Sequence, residues 1–566
     1  MRRNLVLSLL SFFIISVSYA GPVSLDKAKK IAENVLGKNS SDKKVVSELK
    51  FSAQAKNRFN MNADSPAFYI FNSVDSLGFV IVSGEDRLPS VFAYSGDGFI
   101  GEGADMPGGL SLYLEAYSRY VEEVRSGKTE PIMRSADDTV ADTVVGPLLK
   151  SKWGQGEPFN MYVPNSYPVG CVATAMAQIM FYYKWPNQGM ENMRYEWNGK
   201  FIEENFAEHT YDWSVMKNTT NANRMGKARD AVARISYDCG VATQMQYGEG
   251  GSGTHDDLAY VAYYKYFDYD ASILDFKRQI SCNSQEEWEN LIYDELDKKR
   301  PIQFSAHDEN DGGGHSFVVD GYDTNGFVHV NWGWDGMGDG FFDLKLMDVM
   351  DYNFNLEQSA IIGIVPDKDD EASKRKQYRL CMFGVPEVKE GYSPSVDEEF
   401  YMSLGGIYNY SASTRVFNLG MGLFDKQGNL LDDVSVFSLS QNQLILQGFY
   451  GREYGNIKCK LPREYPDGDY VFRVISKENG YDEWLLVETA GGDLLNQMPA
   501  YIHDGKIFFN EFSTGIDKFE NDEVLSVERY DLNGRKIDDD SFISKGVMLE
   551  RRIFRNGKVK VVKICY

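Results

Sequence analysis

Long apolar stretches are nearly absent from this chain of 566 residues. After residue 20 no stretch is long and apolar enough to cross a bilayer as a helix, so we expect no membrane span. Low-complexity tracts are absent too, while 43% of the residues are hydrophobic and 14% are aromatic. This composition is typical of ordered globular protein, and the length predicts roughly three or four domains.

Basic residues are fewer than acidic residues. The chain has 59 Lys and Arg residues against 83 Asp and Glu residues, which gives a formal net charge of −24 at pH 7. Nucleic acids and anionic membranes attract basic surfaces, so this excess of acid argues against both as partners.

Cysteine and histidine are rare, with six residues of each. No two cysteines are close enough in sequence for a metal knuckle or a redox pair, and six scattered cysteines do not make a disulfide framework. His307 and His315 lack a third ligand at a suitable spacing, so we expect neither a metal nor another cofactor. Only Cys171 lies in a context that favours a reactive thiol. The cysteines are Cys171, Cys239, Cys282, Cys381, Cys459 and Cys565.

The first twenty residues have the pattern of a secretory signal peptide. Arg2 and Arg3 form a short basic region, residues 5–17 are apolar apart from serines, and Ala20 ends a small-residue cleavage site. The apolar run is short for a membrane span, although an uncleaved anchor is the alternative. No cysteine follows Ala20, which argues against a lipoprotein anchor. We expect export and a secreted or cell-surface location.

The remaining chain divides into four predicted units. The first combines a helix capped by Ser24, two strands, a second helix and a polar linker over residues 126–142. The apolar face expected for its first helix comprises Leu25, Ala28, Ala32, Val35 and Leu36. Short alternating segments after residue 377 are typical of a β-sandwich. The units are an N-terminal unit (21–140), a central unit (141–366), a sandwich unit (375–512) and a C-terminal unit (515–566).

The segment around Cys171 predicts a glycine turn that runs into a helix. Gly170 precedes the cysteine, and apolar residues then recur at helical spacing as far as Tyr183, before Pro186. Cys171 would lie in the first turn, where unpaired N–H groups and the positive end of the helix dipole favour a thiolate. The alternative is a small buried residue in a packed helix.

A thiolate nucleophile needs an imidazole that protonates the leaving amine. His315 differs from the other histidines because it follows three glycines, 312–314, and opens the apolar strand 316–320. The glycines let backbone and substrate approach the ring. The turn at 323–326 predicts a hairpin that would bring residues 332–336 beside His315, where an Asn or Trp could orient the ring. The alternative is an ordinary hairpin with aromatic packing.

Four segments in a fixed order strengthen this interpretation. They are Trp153-Gly154-Gln155-Gly156-Glu157-Pro158-Phe159-Asn160, Gly170-Cys171-Val172-Ala173-Thr174-Ala175, Gly313-Gly314-His315-Ser316-Phe317-Val318-Val319-Asp320-Gly321 and Val330-Asn331-Trp332-Gly333-Trp334. Together they resemble the streptopain family of bacterial cysteine peptidases. The resemblance covers about residues 150 to 365 and implies a papain-like fold there. The region before residue 140 resembles the inhibitory propeptide of the family.

The resemblance implies four catalytic roles, which chemistry also supports. Cys171 attacks the scissile carbonyl, and His315 shares its proton. The side chain of Gln155, with the backbone N–H of Cys171, holds the oxyanion. Trp332 matches the family position whose backbone holds the histidine, while the role of Asn331 stays open.

The resemblance also implies where the substrate and the propeptide bind. Gly313 and Gly314, with Trp334, are expected to line the substrate cleft, and a hydrophobic residue is expected one before the cleaved position. The N-terminal unit is expected to inhibit the peptidase as an intramolecular partner. Exposed linkers are where proteases cut, so we expect activation by cleavage after Arg134. The cut falls before about residue 145, because the mature chain must keep Gln155.

The C-terminal unit resembles, more loosely, a sorting domain of the type IX secretion kind. The matching segments are 530–537, 545–547 and 556–563. The resemblance implies a secretion machinery as a partner. The alternative is a terminal β-unit that caps the sandwich.

Taken together, these patterns predict an α+β protein: a papain-like catalytic domain, preceded by a small α+β prodomain and followed by a β-sandwich and a short C-terminal β module. The predicted function is a secreted cysteine endopeptidase, made as a zymogen, that acts on proteins or peptides. One alternative is a thiol amidase that acts on peptidoglycan peptides. The other is a surface adhesin whose peptidase domain is vestigial.

Overall fold

The structure is a computed structural model. For the four strands after residue 523, and for a few other strand residues, it describes the backbone alone. The described residues are 21–37, 46–49, 56, 59, 65–74, 78–101, 106–131, 141–279, 282, 284–308, 313–343, 356–368, 376–389, 391–409, 411, 414–436, 443–448, 450–489, 496–509, 524–530, 536–537, 547–554 and 559–565.

Seven α-helices and twenty-eight strands are present in the described residues. The helices are α1 (Leu25–Gly37), α2 (Gly108–Ser126), α3 (Cys171–Tyr183), α4 (Thr220–Asn223), α5 (Gly226–Ala242), α6 (Asp256–Tyr266) and α7 (Gln285–Asp297). The strands of the N-terminal and central units are β1 (Val46–Glu48), β2 (Phe68–Ser73), β3 (Phe79–Ser83), β4 (Val91–Ser95), β5 (Thr143–Val145), β6 (Asn192–Trp197), β7 (Lys200–Asn205), β8 (Asp275–Arg278), β9 (Ile302–Asp308), β10 (Gly313–Asp323), β11 (Phe327–Asn331), β12 (Gly340–Asp343) and β13 (Leu356–Ile362). The later strands are β14 (Cys381–Phe383), β15 (Phe400–Asn409), β16 (Arg415–Phe424), β17 (Leu430–Asp433), β18 (Gln443–Leu446), β19 (Tyr450–Cys459), β20 (Gly468–Glu478), β21 (Leu485–Leu486), β22 (Glu488–Thr489), β23 (Met498–His503), β24 (Lys506–Phe509), β25 (Val524–Tyr530), β26 (Lys536–Ile537), β27 (Val547–Phe554) and β28 (Val559–Cys565).

One sheet of eleven strands runs through both the N-terminal and the central unit. Its order is β1-β2-β3-β4-β12-β11-β10-β9-β13-β8, and β5 pairs with β10 beside this path. The hairpin predicted after His315 is confirmed, because β10 and β11 pair antiparallel with Val318 opposite Asn331. The loop after β11 therefore returns to the neighbourhood of His315.

Helices cover the two faces of this sheet, as expected for an α+β fold. On one face, α2 and α7 share a core with Phe317. On the other face, α3, α5 and α6 share a core with Val318. Successive strand residues point to opposite faces. His315 is in step with Phe317, so its side chain lies on the face that α2 covers.

The N-terminal unit joins the central unit by pairing β4 with β12, where Tyr94 lies opposite Phe341. The Tyr94 hydroxyl donates to the Asp323 carboxylate at 2.7 Å. Lys152 Nζ lies 3.1 Å from Asp97 Oδ2. The contact between the two units thus combines strand pairing, a buried hydrogen bond and an ion pair. In addition, apolar residues of both units share one core.

The helices predicted in the N-terminal unit are confirmed. Ser24 Oγ accepts the backbone N–H of Lys27 at 3.3 Å, which caps α1. Leu25 was wrongly placed on the apolar face, since it is 41% exposed. The burial of α1 begins one turn later, at Ala28, and continues to Leu36. The turn predicted between β2 and β3 falls partly on residues 75–77, outside the described residues.

The predicted β-sandwich is confirmed in the sandwich unit. One sheet has the order β19-β15-β14-β22, and the other has β17-β16-β20-β23-β24 with β18 and β21 at its side. Met402 and Phe472, from the two sheets, lie in one core. The C-terminal unit has four antiparallel strands in the order β26-β25-β27-β28, while its predicted turn at 533–534 lies outside the described residues. Among the described helices none has both the length and the hydrophobicity of a membrane span. The limits drawn between the units stay predictions.

Candidate active site

Cys171 is the first residue of α3. The preceding Gly170 has a φ of 97°, in the left-handed region that favours glycine. A Cβ on Gly170 would also come 2.7 Å from the end of the Met245 side chain and 3.1 Å from the Ser252 carbonyl oxygen. Every residue from 172 to 180 is buried, whereas Cys171 is half-buried. The helix is therefore anchored in the core and presents the thiol at its N-terminal end, near the positive pole of its dipole.

His315 lies in β10 and is held by the backbone of Trp332. Its Nε2 is 3.2 Å from the Trp332 carbonyl oxygen. A carbonyl only accepts hydrogen bonds, so Nε2 carries the hydrogen and Nδ1 is the nitrogen left to exchange a proton with a thiol. Burial lowers the pKa of His315, against the effects of the Trp332 carbonyl and the Asp256 carboxylate. The ring is therefore neutral at pH 7.

The thiol of Cys171 is also neutral in this form. Burial raises its pKa to about 11, although the backbone N–H of Ser316 donates to the sulfur, and the Asp256 carboxylate adds to the rise. A thiolate–imidazolium pair needs shifts in the opposite directions. In the precursor the sulfur accepts from the Ser316 N–H, while His315 Nε2 is held by the Trp332 carbonyl, which leaves Nδ1 for proton exchange with a thiol.

Gln155 lies on a segment that is fixed beside the nucleophile. Its carbonyl accepts the backbone N–H of Val169, two residues before Cys171, at 3.0 Å. Trp153, two residues earlier, is buried, and its Nε1–H donates to the Lys217 carbonyl at 2.8 Å. The side chain of Gln155 itself is half-buried. The residue predicted to hold the oxyanion is thus near the start of α3.

The residues predicted to line the substrate cleft lie at the start of β10 and in the turn after β11. Gly313 and Gly314 open β10, and Gly314 is exposed opposite His307 of β9. A Cβ on Gly314 would collide with the His307 ring. Trp334 is half-buried in the turn after β11, where its carbonyl accepts the Met337 N–H at 2.9 Å. Their part in substrate binding stays a prediction.

The first residues of α2, in the N-terminal unit, cover the imidazole. A Cβ on Gly109 would come 2.5 Å from His315 Cδ2 and 2.6 Å from Trp332 Cζ3. A Cβ on Gly108 would lie 3.5 Å from His315 Nδ1, the nitrogen that a thiol needs. This contact could not be predicted, because a glycine adds nothing to a hydrophobic pattern.

Three polar residues around Trp332 complete the site. Asn331 Oδ1 accepts from Gln178 Nε2 and from the Gly333 N–H, both at 3.0 Å, so Asn331 contacts the loop and not the imidazole. Asp339 Oδ1 accepts the Trp332 N–H at 2.9 Å. Sequence reasoning assigned no role to Gln178 or Asp339. For Gln178, the sequence signal was a glutamine among the apolar residues of α3.

Among the described residues, two groups of side chains bring together three possible metal ligands each. In the group of Glu204, His209 and Asp238, the Arg234 guanidinium lies 3.2 Å from Asp238 and 3.6 Å from Glu204. That single positive charge offsets one of the two carboxylate charges. The other group, which is exposed, is Asp467, His503 and Asp504. Neither group includes Cys171 or His315.

Comparisons with known proteins match both the N-terminal and the central unit. Residues 153–342 match the model of the Peptidase C10 family, and residues 20–121 match the model of the Spi protease inhibitor. Streptopain from Streptococcus pyogenes is 30% identical over an alignment of 331 residues, and the match covers 53% of this chain and 80% of streptopain. The thiol protease/hemagglutinin PrtT from Porphyromonas gingivalis is 27% identical over 527 residues, 87% of this chain. This chain spans only 57% of the length of PrtT.

A solved structure of a prointerpain A fragment from Prevotella intermedia is 27% identical to this chain. The TM-score is 0.47, and the match covers 57% of this chain and 99% of the fragment.

The family matches define a thiol protease unit with an inhibitor-type propeptide. The chain belongs to the peptidase C10 family, which includes streptopain.

Proposed function

We propose that Cys171, His315 and Gln155 hydrolyse peptide bonds once the N-terminal unit has been removed. The hydrogen bond from His315 Nε2 to the Trp332 carbonyl supports this proposal most directly. It fixes the tautomer and leaves Nδ1 for proton exchange with a thiol. The thiol itself lies at a helix N-terminus, where the dipole favours its ionised form.

In the acylation step, the Cys171 thiolate forms a bond to the carbonyl carbon of the scissile peptide. The carbonyl oxygen becomes an oxyanion and accepts hydrogen bonds from the Gln155 side chain and the Cys171 backbone N–H. His315 gives its Nδ1 proton to the amide nitrogen, and the carbon–nitrogen bond breaks. The products are a thioester on Cys171, a neutral His315 and a free amine.

In the deacylation step, water attacks the thioester and His315 takes one of its protons. The carbon–sulfur bond breaks, which releases the carboxylic acid. The sulfur leaves as a thiolate beside a protonated imidazole, so the enzyme returns to its starting charges.

The N-terminal unit blocks this chemistry by covering His315, we propose. The backbone of Gly108 and Gly109 lies on the ring, on the side that includes Nδ1. Pairing of β4 with β12 holds α2 in this place. Removal of the unit would free the imidazole to pair with Cys171. This pairing requires that the pKa of the Cys171 thiol falls from its raised value in the precursor.

Cleavage in the linker is the proposed activation step. The last turn of α2 ends at Ser126, and the left-handed Gly127 follows it. On the central unit's side, the Asp142 carbonyl accepts the Thr324 N–H at 2.9 Å. We propose that the cut falls between these two described positions, in the region that includes Arg134. N-terminal sequencing of the processed protein tests this range.

The proposed substrates are extracellular proteins and peptides with a hydrophobic residue one before the cleaved position. Two further features support a location outside the cytoplasm. One is the signal-peptide pattern of residues 1–20, and the other is the resemblance of the C-terminal unit to a sorting domain. We propose that a secretion machinery recognises the C-terminal unit.

A pair of cysteine variants tests the assignment of the nucleophile. Cys171→Ala is expected to abolish digestion of casein and to leave a full-length precursor. Cys282→Ala is the matched control, because Cys282 is also a half-buried free cysteine and should leave activity unchanged. Digestion of purified peptidoglycan, in place of casein, by the processed wild type would favour the amidase alternative. Strong peptidase activity in Cys171→Ala would refute the assignment.

A further inference from the structure

Gln178 connects the helix of the nucleophile to the loop of the oxyanion residue. It lies about two turns after Cys171 in α3 and is completely buried. Its Oε1 accepts the backbone N–H of Trp153 at 3.2 Å, and its Nε2 donates to Asn331 Oδ1 at 3.0 Å. Trp153 is two residues before Gln155. One side chain of α3 therefore fixes the segment that carries Gln155.

Asn331 extends this connection to the Trp332 carbonyl, which holds His315. Its Oδ1 also accepts the Gly333 N–H at 3.0 Å, and its Nδ2 donates to the Ser151 carbonyl at 2.8 Å. The Gly333 N–H and the Trp332 C=O belong to one peptide group, which is planar. Fixing the direction of this N–H therefore fixes the direction of the carbonyl that accepts from His315.

The two amides have little freedom to rearrange. Gln178 is 0% exposed and Asn331 is 4% exposed, so water does not compete for their hydrogen bonds. The oxygen and the nitrogen of each side chain have partners. A rotation of either amide would leave a buried donor or acceptor without a partner, at a cost of about 1–3 kcal/mol.

We propose that Gln178 and Asn331 are positioning residues for peptide hydrolysis. Together they set the relative placement of the oxyanion loop, the thiol helix and the carbonyl that orients His315. This inference rests on the function proposed for Cys171 and His315. Both side chains act through other groups, so their loss should slow the chemical steps and not substrate binding. A displacement of about 1 Å in such a site lowers rates by about 10²-fold.

The first test compares two buried glutamines of the central unit. Gln178→Met is expected to lower kcat by about 10-fold to 10²-fold with KM within about 2-fold of wild type. Gln358→Met is the matched control. Gln358 is 1% exposed, and its Oε1 accepts at 3.3 Å from Nε1 of Trp288, a residue of α7 that belongs to none of the active-site segments. Its substitution should leave kcat within about 2-fold of wild type. Both variants are processed by tagged wild-type enzyme, which is then removed.

The second test uses pH to restore the hydrogen bonds. In Gln178→Glu, a protonated carboxyl can still accept from Trp153 and donate to Asn331, whereas an ionised one cannot donate. Burial raises the pKa of a carboxyl, so protonation should persist into mildly acidic solution. The kcat of Gln178→Glu relative to wild type should be near one at about pH 5 and fall about 10-fold by about pH 8. The same ratio for Gln358→Glu should stay flat.

The outcomes separate this inference from the proposed function. If Cys171→Ala keeps its activity in the same assay, the proposed function has failed. If Cys171→Ala is inactive but Gln178→Met matches Gln358→Met and the Gln178→Glu ratio is flat, only the positioning role is overturned. If Gln178→Met does not fold, the pH profile of Gln178→Glu decides alone.

Discussion

The backbone of Gly109 lies against the ring of His315, so closely that a Cβ on Gly109 would come 2.5 Å from His315 Cδ2. Gly109 belongs to the inhibitor-type N-terminal unit and His315 to the central unit. Only glycine permits this contact, so the fit of the two units depends on the absence of a side chain at the start of α2.

Gly109→Ala is expected to weaken latency. The added methyl group collides with His315 and Trp332, and overpacking of this kind costs about 1–3 kcal/mol. We expect the full-length variant to process itself at least about 5-fold faster than wild type. The measurement is the half-life of the full-length band on a gel. Gly96→Ala is the control, because a Cβ on Gly96 has no heavy atom within 4 Å. Equal half-lives for the two variants would count against the contact as the source of latency.

The local parts of the site could be predicted from the sequence. The glycine turn before Cys171, the helical spacing after it and the glycines before His315 are all short-range signals. The hairpin of β10 and β11 followed from its turn residues and explains how Trp332 returns to His315.

The contact between the units could not be predicted in this way. Pairing of Tyr94 with Phe341 joins residues far apart in sequence, and Gly109 carries no side chain to form a pattern. Gln178 was not predicted, because an interpretation based on helical spacing assigns polar residues to an exposed face of the helix. Helix α3 is instead buried all along residues 172–180, between the sheet and the helices α5 and α6. In such a helix a single glutamine indicates a buried hydrogen bond.

Alkylation of Cys171 should report the neutral thiol of the precursor. Its pKa of about 11 leaves about one thiol in 10⁴ ionised at pH 7. The rate of reaction with iodoacetamide should therefore rise about 10-fold per pH unit from pH 7 to pH 10 in the full-length protein. The processed enzyme should already react fast near pH 7. Mass spectrometry of the Cys171 peptide gives both rates, and equal rates at pH 7 would contradict this account.

Asp339 should make the precursor less stable as the pH rises. Burial raises its pKa from an ordinary acidic value to about 7, against the Trp332 N–H and the charges of His329 and Lys152. Between about pH 4 and about pH 7, a carboxyl whose pKa is raised by folding keeps its proton in the folded state and loses it in the unfolded state. Its stabilising effect is complete below about pH 4 and is lost as the pH rises through 7.

The shift corresponds to about 4 kcal/mol over this window. In Asp339→Asn the side-chain oxygen still accepts the Trp332 N–H but does not titrate. The decline of the thermal unfolding midpoint between pH 4.5 and pH 7.5 should therefore be smaller in Asp339→Asn than in wild type. Parallel declines in the two proteins would show that Asp339 does not titrate in this range.

Gln155→Ala separates oxyanion stabilisation from nucleophile formation. Loss of one oxyanion donor slows turnover by about 10²-fold, while the reactivity of the Cys171 thiol should be unchanged. The measurement combines kcat for a peptide substrate with the alkylation rate at pH 7 in the processed protein. A Gln155→Ala enzyme that works at the wild-type rate would remove Gln155 from the mechanism.

The most direct test of the whole account is the labelling of Cys171 by an epoxide inhibitor of thiol proteases, measured by mass spectrometry before and after processing. The inhibitor needs both a thiolate and an accessible imidazole. We expect stoichiometric modification of Cys171 in the processed enzyme, with loss of activity, and very little in the full-length protein. Full-length protein that is labelled as fast as the processed form, or a processed enzyme that stays active with Cys171 unmodified, would contradict the account.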